Sequence, residues 1–96
     1  MAAYVIVDVT VTDPATFEEY RRLAGLSVAA HGGKFLVRGG KWEPLEGDWQ
    51  PTRIVVIEFP TVDRAKLWYA SPGYKAARDV RARAANMRMV VVEGVA

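Results

Sequence analysis

A chain of 96 residues makes one domain, residues 1–96, so any function must sit on a single core or at a subunit contact. Thirteen Lys and Arg against eleven Asp and Glu leave a net charge of +2, too small a surplus to mark a nucleic-acid surface, and 51% hydrophobic with 25% charged residues excludes a disordered or low-complexity chain. With no cysteine and one histidine there is no disulfide frame, thiolate nucleophile or zinc knuckle, so neither a metal site nor a cofactor is expected.

The opening segment Met1–Val5 lacks a charged leader, and no run approaches the roughly 18 apolar residues of a membrane span, so a cytoplasmic protein without a membrane partner is expected. Tyr4 to Thr12 reads as a strand, with Val5, Val7, Val9 and Val11 alternating with Tyr4, Ile6, Asp8 and Thr10. Asp13-Pro14 supplies a helix cap and first-turn proline, and Phe17, Tyr20, Ala24 and Val28 follow at helical spacing until Gly32-Gly33 ends the helix. Lys34 to Lys41 is a second strand, an edge strand, closing in a Gly39-Gly40 pair suited to a bulge or bend.

Trp42 to Thr52 is a loop rich in turn residues that also carries Trp42, Leu45 and Trp49. Arg53 to Phe59 is the third strand, its apolar centre predicting burial on both faces, and Pro60 closes it. A helix follows from Thr61 or Asp63 to about Ala70, and Ser71-Pro72 repeats the cap-plus-proline signal before a second stretch ending near Ala85, so this helix is broken or kinked. Met87 to Glu93 is the last strand.

The order strand, helix, strand, strand, helix, strand folds into a four-stranded antiparallel sheet with the helices on one face, the α+β ferredoxin-like plait. Val5, Val7, Val9, Val55, Ile57 and Phe59 suit the helix side. Tyr4, Ile6, Asp8, Leu36, Arg38, Ile54, Val56 and Glu58 then form the other face, too apolar to be left in water. A second copy of the same face is the economical cover, since a two-fold contact complements itself, and a homodimer is expected.

Tyr4-Val5-Ile6, Asp13-Pro14 with Tyr20, His31-Gly32-Gly33, Arg38-Gly39-Gly40, Glu46-Gly47, Arg53 with Val55 to Phe59, and Ser71-Pro72-Gly73-Tyr74 occur in this order and spacing along nearly the whole chain. In these pieces the sequence resembles the domain-of-unknown-function family 1330, within the dimeric α/β-barrel group. The resemblance implies a plait paired sheet to sheet in a homodimer and brings no established activity. Some relatives in the wider group are cofactor-independent monooxygenases or haem-handling enzymes, an analogy of fold that is a poor guide to reaction.

Chemistry has few places to reside. His31, at a helix C-terminus where the dipole favours its protonated form, either caps the helix or serves as a ligand or proton-transfer group. Asp8, Arg38 and Glu58 are charges on strands expected to be buried, which persist only when paired. Either Arg38 and Glu58 form a diagonal ion pair that sets dimer register, or Arg38 holds a carboxylate or similar anion in a bidentate fork at a pocket mouth. Trp42, Trp49, Trp68, Tyr69 and Tyr74 pack a core or interface, or else Trp42 and Trp49 form a lid over a flat apolar ligand oriented by the hydroxyls of Tyr20 or Tyr74.

Lys75, Arg78, Arg81 and Arg83 complement a helix dipole, and the third strand lacks the aromatic motif of the RNA-binding plait, so no nucleic-acid partner is expected. The leading expectation is a small homodimer binding a small organic molecule between sheet and helices through Arg38, Tyr20, Trp42 and Tyr74. One alternative is a cofactor-independent monooxygenase- or isomerase-like enzyme in which His31 or Asp8 moves a proton and Arg38 steadies negative charge. The other is a structural or regulatory dimer without a ligand.

Overall fold

The N-terminal valines form β1 (Ala3–Val11), and in the computed structural model, which describes residues 1–95, every second side chain of this strand is buried from Ala3 to Val9. Asp13 then caps α1 (Pro14–Ala30): its Oδ1 accepts from the Thr16 amide at 3.2 Å and its Oδ2 from the Thr16 hydroxyl at 2.7 Å. The helix ends where Gly32 takes a φ of 74°, a conformation that glycine enters without steric cost.

After β2 (Lys34–Arg38) an irregular stretch runs to β3 (Ile54–Phe59). Helices α2 (Val62–Ala70) and α3 (Pro72–Arg81) follow, and β4 (Ala85–Glu93) closes the fold. The break between α2 and α3 has one residue as its cause. The Ser71 hydroxyl donates to the Trp68 carbonyl at 2.7 Å, finishing α2, and accepts from the Tyr74 amide at 3.2 Å, starting α3. Pro72 occupies the first turn of α3, where its missing N–H costs nothing.

The sheet order is β2-β3-β1-β4, antiparallel throughout, with β2 on an edge as its glycine-rich end predicts. The helix-facing residues Val5, Val7, Val9, Ile57 and Phe59 pack against Phe17, Tyr20, Ala24 and Val28 of α1 and Trp68 and Tyr74 beyond. Trp68 lies 4.1 Å from the Tyr74 ring and 5.2 Å from that of Phe59, and its Nε1 donates to the Ser27 hydroxyl at 3.0 Å. No helix among the described residues is long and apolar enough to cross a membrane.

Several boundaries depart from the sequence expectation. β2 stops at Arg38 rather than Lys41, because Gly39 turns with a φ of 77°. α3 ends at Arg81, which lets β4 begin two residues early. More consequential is a bulge between Phe35 and Val37: Phe35 lies opposite Ile57, Val37 opposite Val56 and Arg38 opposite Val55. The extra residue reverses the alternation, so Arg38 shares the helix-facing side with Val55 instead of the outer face.

The Arg38–Glu58 pair expected across the sheet is therefore not formed. Glu58 is opposite Lys34 and Tyr4, and the two ion pairs among the described residues join Arg21 to Glu18 and Arg22 to Glu19 along α1. The predicted burial of β3 on both faces also fails within one chain, since Ile54 and Val56 are only half-buried. The helices lie on the inner face, and among the described residues the outer face meets only the stretch between β2 and β3, where Trp49 stands beside Ile6, Asp8 and Ile54 and leaves Val90 and Val92 exposed.

Candidate functional site

The inner face of the sheet and α1 enclose a cavity. Val7 and Val9 of β1, Val55 and Ile57 of β3, and Met87 and Met89 of β4 form its floor; Phe17, Tyr20 and Ala24 of α1 form its roof. Phe35 and Arg38, from edge strand β2, close one side with Arg21 and Arg53. The space measures about 30 Å³, room for one or two water molecules as it stands.

Three guanidinium groups thus converge on one apolar cavity. Arg38 lies over the Phe35 ring at 4.0 Å and donates from Nη2 to the Arg21 carbonyl at 2.9 Å. Arg53 lies over the Phe17 ring at 5.5 Å, and its Nε is buried without a hydrogen-bond partner, as is that of Arg21. Glu18, 3.3 Å from Arg21 Nη1 on the solvent side, is the carboxylate paired with this group; neither Arg38 nor Arg53 has one among the described residues. Burial, and after it the neighbouring charge of Arg21, presses the Arg38 pKa below its ordinary value.

Behind the arginines lies a buried hydroxyl pair. Tyr20 and Tyr74 oxygens are 2.9 Å apart, Arg81 Nη1 donates to the Tyr74 oxygen at 3.3 Å, and the Tyr20 hydroxyl reaches Met87 Sδ at 3.8 Å. Every group is satisfied when Arg81 donates to Tyr74, Tyr74 to Tyr20 and Tyr20 to the sulfur. Desolvation, followed by the Tyr74 hydroxyl beside it, pushes the Tyr20 pKa far up, and desolvation also raises that of Tyr74. Both are neutral donors and acceptors at any physiological pH.

Of the residues singled out in the sequence, Arg38 and Tyr20 line this cavity together, and Tyr74 supports Tyr20 from behind. The other three lie elsewhere. His31 caps α1, its Nδ1 2.8 Å from the Ser27 carbonyl oxygen, which fixes a proton on that nitrogen. Asp8 is on the outer face, where its Oδ1 accepts from the Thr52 amide at 3.2 Å. Trp42 lies in the stretch between β2 and β3, its Nε1 donating to the Thr52 carbonyl at 3.4 Å. Trp49 borders a 260 Å³ hollow on the outer face with Ile6, Asp8, Ile54, Arg88 and Val90, so the two tryptophans do not cover the inner cavity.

Sequence reasoning missed Arg53, Arg21 and Phe35. Arg53 was legible: it has the parity of Val55, Ile57 and Phe59, and a cation at the end of an otherwise apolar inward-facing series is a polar group aimed at the core. Phe35 and Arg38 were not, because only the bulge brings positions three apart on a strand to the same side.

The outer face has its own order. Across the four strands Val37, Val56, Ile6 and Val90 form one continuous aliphatic row, and Lys34, Glu58, Tyr4 and Val92 form the next. Val90 is 61% exposed and Val92 47%. A third row brings Ile54, Asp8 and Arg88 together.

A family model, domain of unknown function (DUF1330), matches residues 2–95. The chain belongs to this family. No curated protein matches it. Among solved structures, this DUF1330 chain is similar to a protein of unknown function from Rhodopseudomonas palustris, at 19% identity and a TM-score of 0.79, covering 99% of this chain and 83% of that one. It is also similar to SnoaB, a cofactor-independent oxygenase from Streptomyces nogalater, at 16% identity and a TM-score of 0.62, covering 99% and 93%. A dimeric protein of unknown function and ferredoxin-like fold from Bacteroides fragilis matches at 18% identity and a TM-score of 0.54, covering 97% and 96%. At these identities the likeness is one of fold.

Proposed function

We propose that this DUF1330 protein is a homodimer, joined outer face to outer face, each protomer of which binds a small organic molecule between its sheet and its helices. The observation that carries the binding reading is the enclosed cavity, apolar on floor and roof, on which Arg38, Arg53 and Tyr20 converge. Arg38 and Phe35 close it from an edge strand, so their side chains can swing out and enlarge the space without disturbing the strands that carry the core. Tyr74 holds the Tyr20 hydroxyl in place, and Trp42 takes no part in this chamber.

The dimer rests on the four-strand aliphatic row and on the two signs of charge flanking it, Lys34 with Glu58 and Arg88 with Asp8, a pattern that complements itself under a two-fold axis. The dimeric B. fragilis protein of the same fold supports it. Light scattering coupled to gel filtration at micromolar concentration is expected to give twice the mass of the chain. Thermal denaturation against a panel of small organic acids, amides and alcohols is expected to yield stabilising compounds; a monomer that no compound stabilises would discard both halves of the proposal.

An oxygenase- or isomerase-like activity is the second reading, favoured by the shared fold with SnoaB. His31, Asp8 and Arg38 stand at a helix end, on the outer face and on the inner face respectively, so the proton-moving groups named for it do not meet the cavity. Binding without turnover is therefore preferred. Conversion of a bound compound that is lost in His31→Ala would reverse that preference.

A further inference from the structure

We infer that the chamber selects small apolar carboxylates, the carboxylate being gripped by Arg38 and Arg53 together while its apolar body lies against Phe17, Phe35 and Met87. The inference rests on the binding reading above and names the class of ligand.

Its first support is the state of the arginines. Arg38 is exposed at the rim of the cavity and Arg53 and Arg21 are half-buried in its wall, and three like charges gathered on one apolar cavity favour an anion among them. Within the chain Arg38 uses an N–H on a main-chain carbonyl that belongs to the middle of α1, and Arg53 leaves a buried Nε without a partner. The protein supplies no carboxylate to either. Two cations lining an apolar cavity without a carboxylate of their own leave room for an anionic group brought by a ligand.

The second support is shape. Each guanidinium already lies on a phenylalanine, Arg38 on Phe35 and Arg53 on Phe17, and both rings line the cavity. The rings hold the two head groups beside the cavity, and apart from the Nη2 that Arg38 gives to the Arg21 carbonyl their N–H groups are available for a planar carboxylate. Gly39 contributes to this placement: a Cβ there would come within 2.6 Å of Arg53 Cζ, so the absence of a side chain makes the space in which Arg53 lies. The floor of valines and methionines admits an apolar body and offers nothing to a second charge.

The test uses the full-length protein with three acids, benzoate, phenylacetate and isovalerate, each compared with its own amide by calorimetry at low salt. Location is read independently from the 13C-methyl signals of Met87 and Met89, two of only three methionines in the chain. The acids are expected to bind at least tenfold more tightly than the amides and to shift the Met87 signal. Arg38→Met and Arg53→Met are each expected to weaken acid binding at least tenfold more than they weaken amide binding. Should either methionine variant fail to fold, Arg38→Lys and Arg53→Lys keep the charge and remove the fork, and at least a threefold loss of acid binding is expected.

Amides that bind as tightly as acids, with the Met87 signal shifted by both, would overturn the carboxylate inference and leave the chamber standing. Inorganic phosphate that binds where none of the acids does would also overturn it. If neither acids nor amides bind or move Met87, the chamber reading falls and the inference with it.

Discussion

Replacing Ile6 by Asp tests the covered-face argument at its centre. Ile6 lies opposite Val56 on one side and Val90 on the other, in the middle of the aliphatic row. In the separate protomer its side chain is only half-buried, and Asp8 already stands two residues along on the same face, so the variant protomer is expected to fold with a loss of no more than about 1 kcal/mol. In the face-to-face dimer the new carboxylate loses its water. The effective penalty for burying an ion is several kcal/mol; at about 3 kcal/mol for each of two symmetry-related carboxylates the dimer loses about 6 kcal/mol. At about 1.4 kcal/mol per factor of ten, the dissociation constant rises by about four decades, enough to turn a nanomolar dimer into one that is mostly monomeric at about 1 μM. Sedimentation velocity across a concentration series reads this directly, with Leu45→Asp, at a fully exposed loop position, as the control that should stay dimeric. An Ile6→Asp protein that sediments as the wild-type dimer would refute the assignment of this face.

Two further outcomes follow from the core. Ser27→Ala removes the acceptor of the buried Trp68 Nε1–H and is expected to cost about 1–3 kcal/mol, read as a fall in melting temperature of about 4–8 °C per kcal/mol; an unchanged melting temperature would mean that water or another acceptor replaces the hydroxyl. Alkaline titration followed at the phenolate absorbance tests the tyrosine pair. Because folding raises the pKa of Tyr20 and Tyr74, their contribution to stability is fully present below the unfolded-state value near ~10 and is lost as pH rises above it, when the unfolded chain sheds protons that the folded one keeps. These two phenols are expected to ionise only as the protein unfolds, and their ionisation in a still-folded protein would contradict the burial argument.

Much of the fold was legible because each element announces itself by a different physical device. The valine alternation of β1, the Asp13 cap, the glycine end of α1 and the Ser71-Pro72 break are all local, and all appear in the structure where the sequence places them. The broken helix became two complete helices because one serine hydroxyl serves the end of the first and the beginning of the second. What could not be read was long-range register. Gly39-Gly40 pointed to an irregularity in β2, but the extra residue falls three positions earlier, between Phe35 and Val37.

That single residue decides the chemistry of the site. With strict alternation Leu36 would lie opposite Val56, and Arg38 would stand on the outer face opposite Ile54, in the row that already holds Asp8 and Arg88. With the bulge, Val37 takes the place opposite Val56 and Arg38 turns inward to meet Arg53, Phe35 and Tyr20. The outer face is relieved of a cation and the inner face gains one. Local propensity cannot place such a bulge, because its energetic reason lies in two layers at once: an aliphatic surface on one side of β2 and an anion-seeking cavity on the other. The two halves of the proposed function, dimer and chamber, therefore share one edge strand and one irregularity, which is why adjacent residues, Val37 and Arg38, are assigned to different tasks.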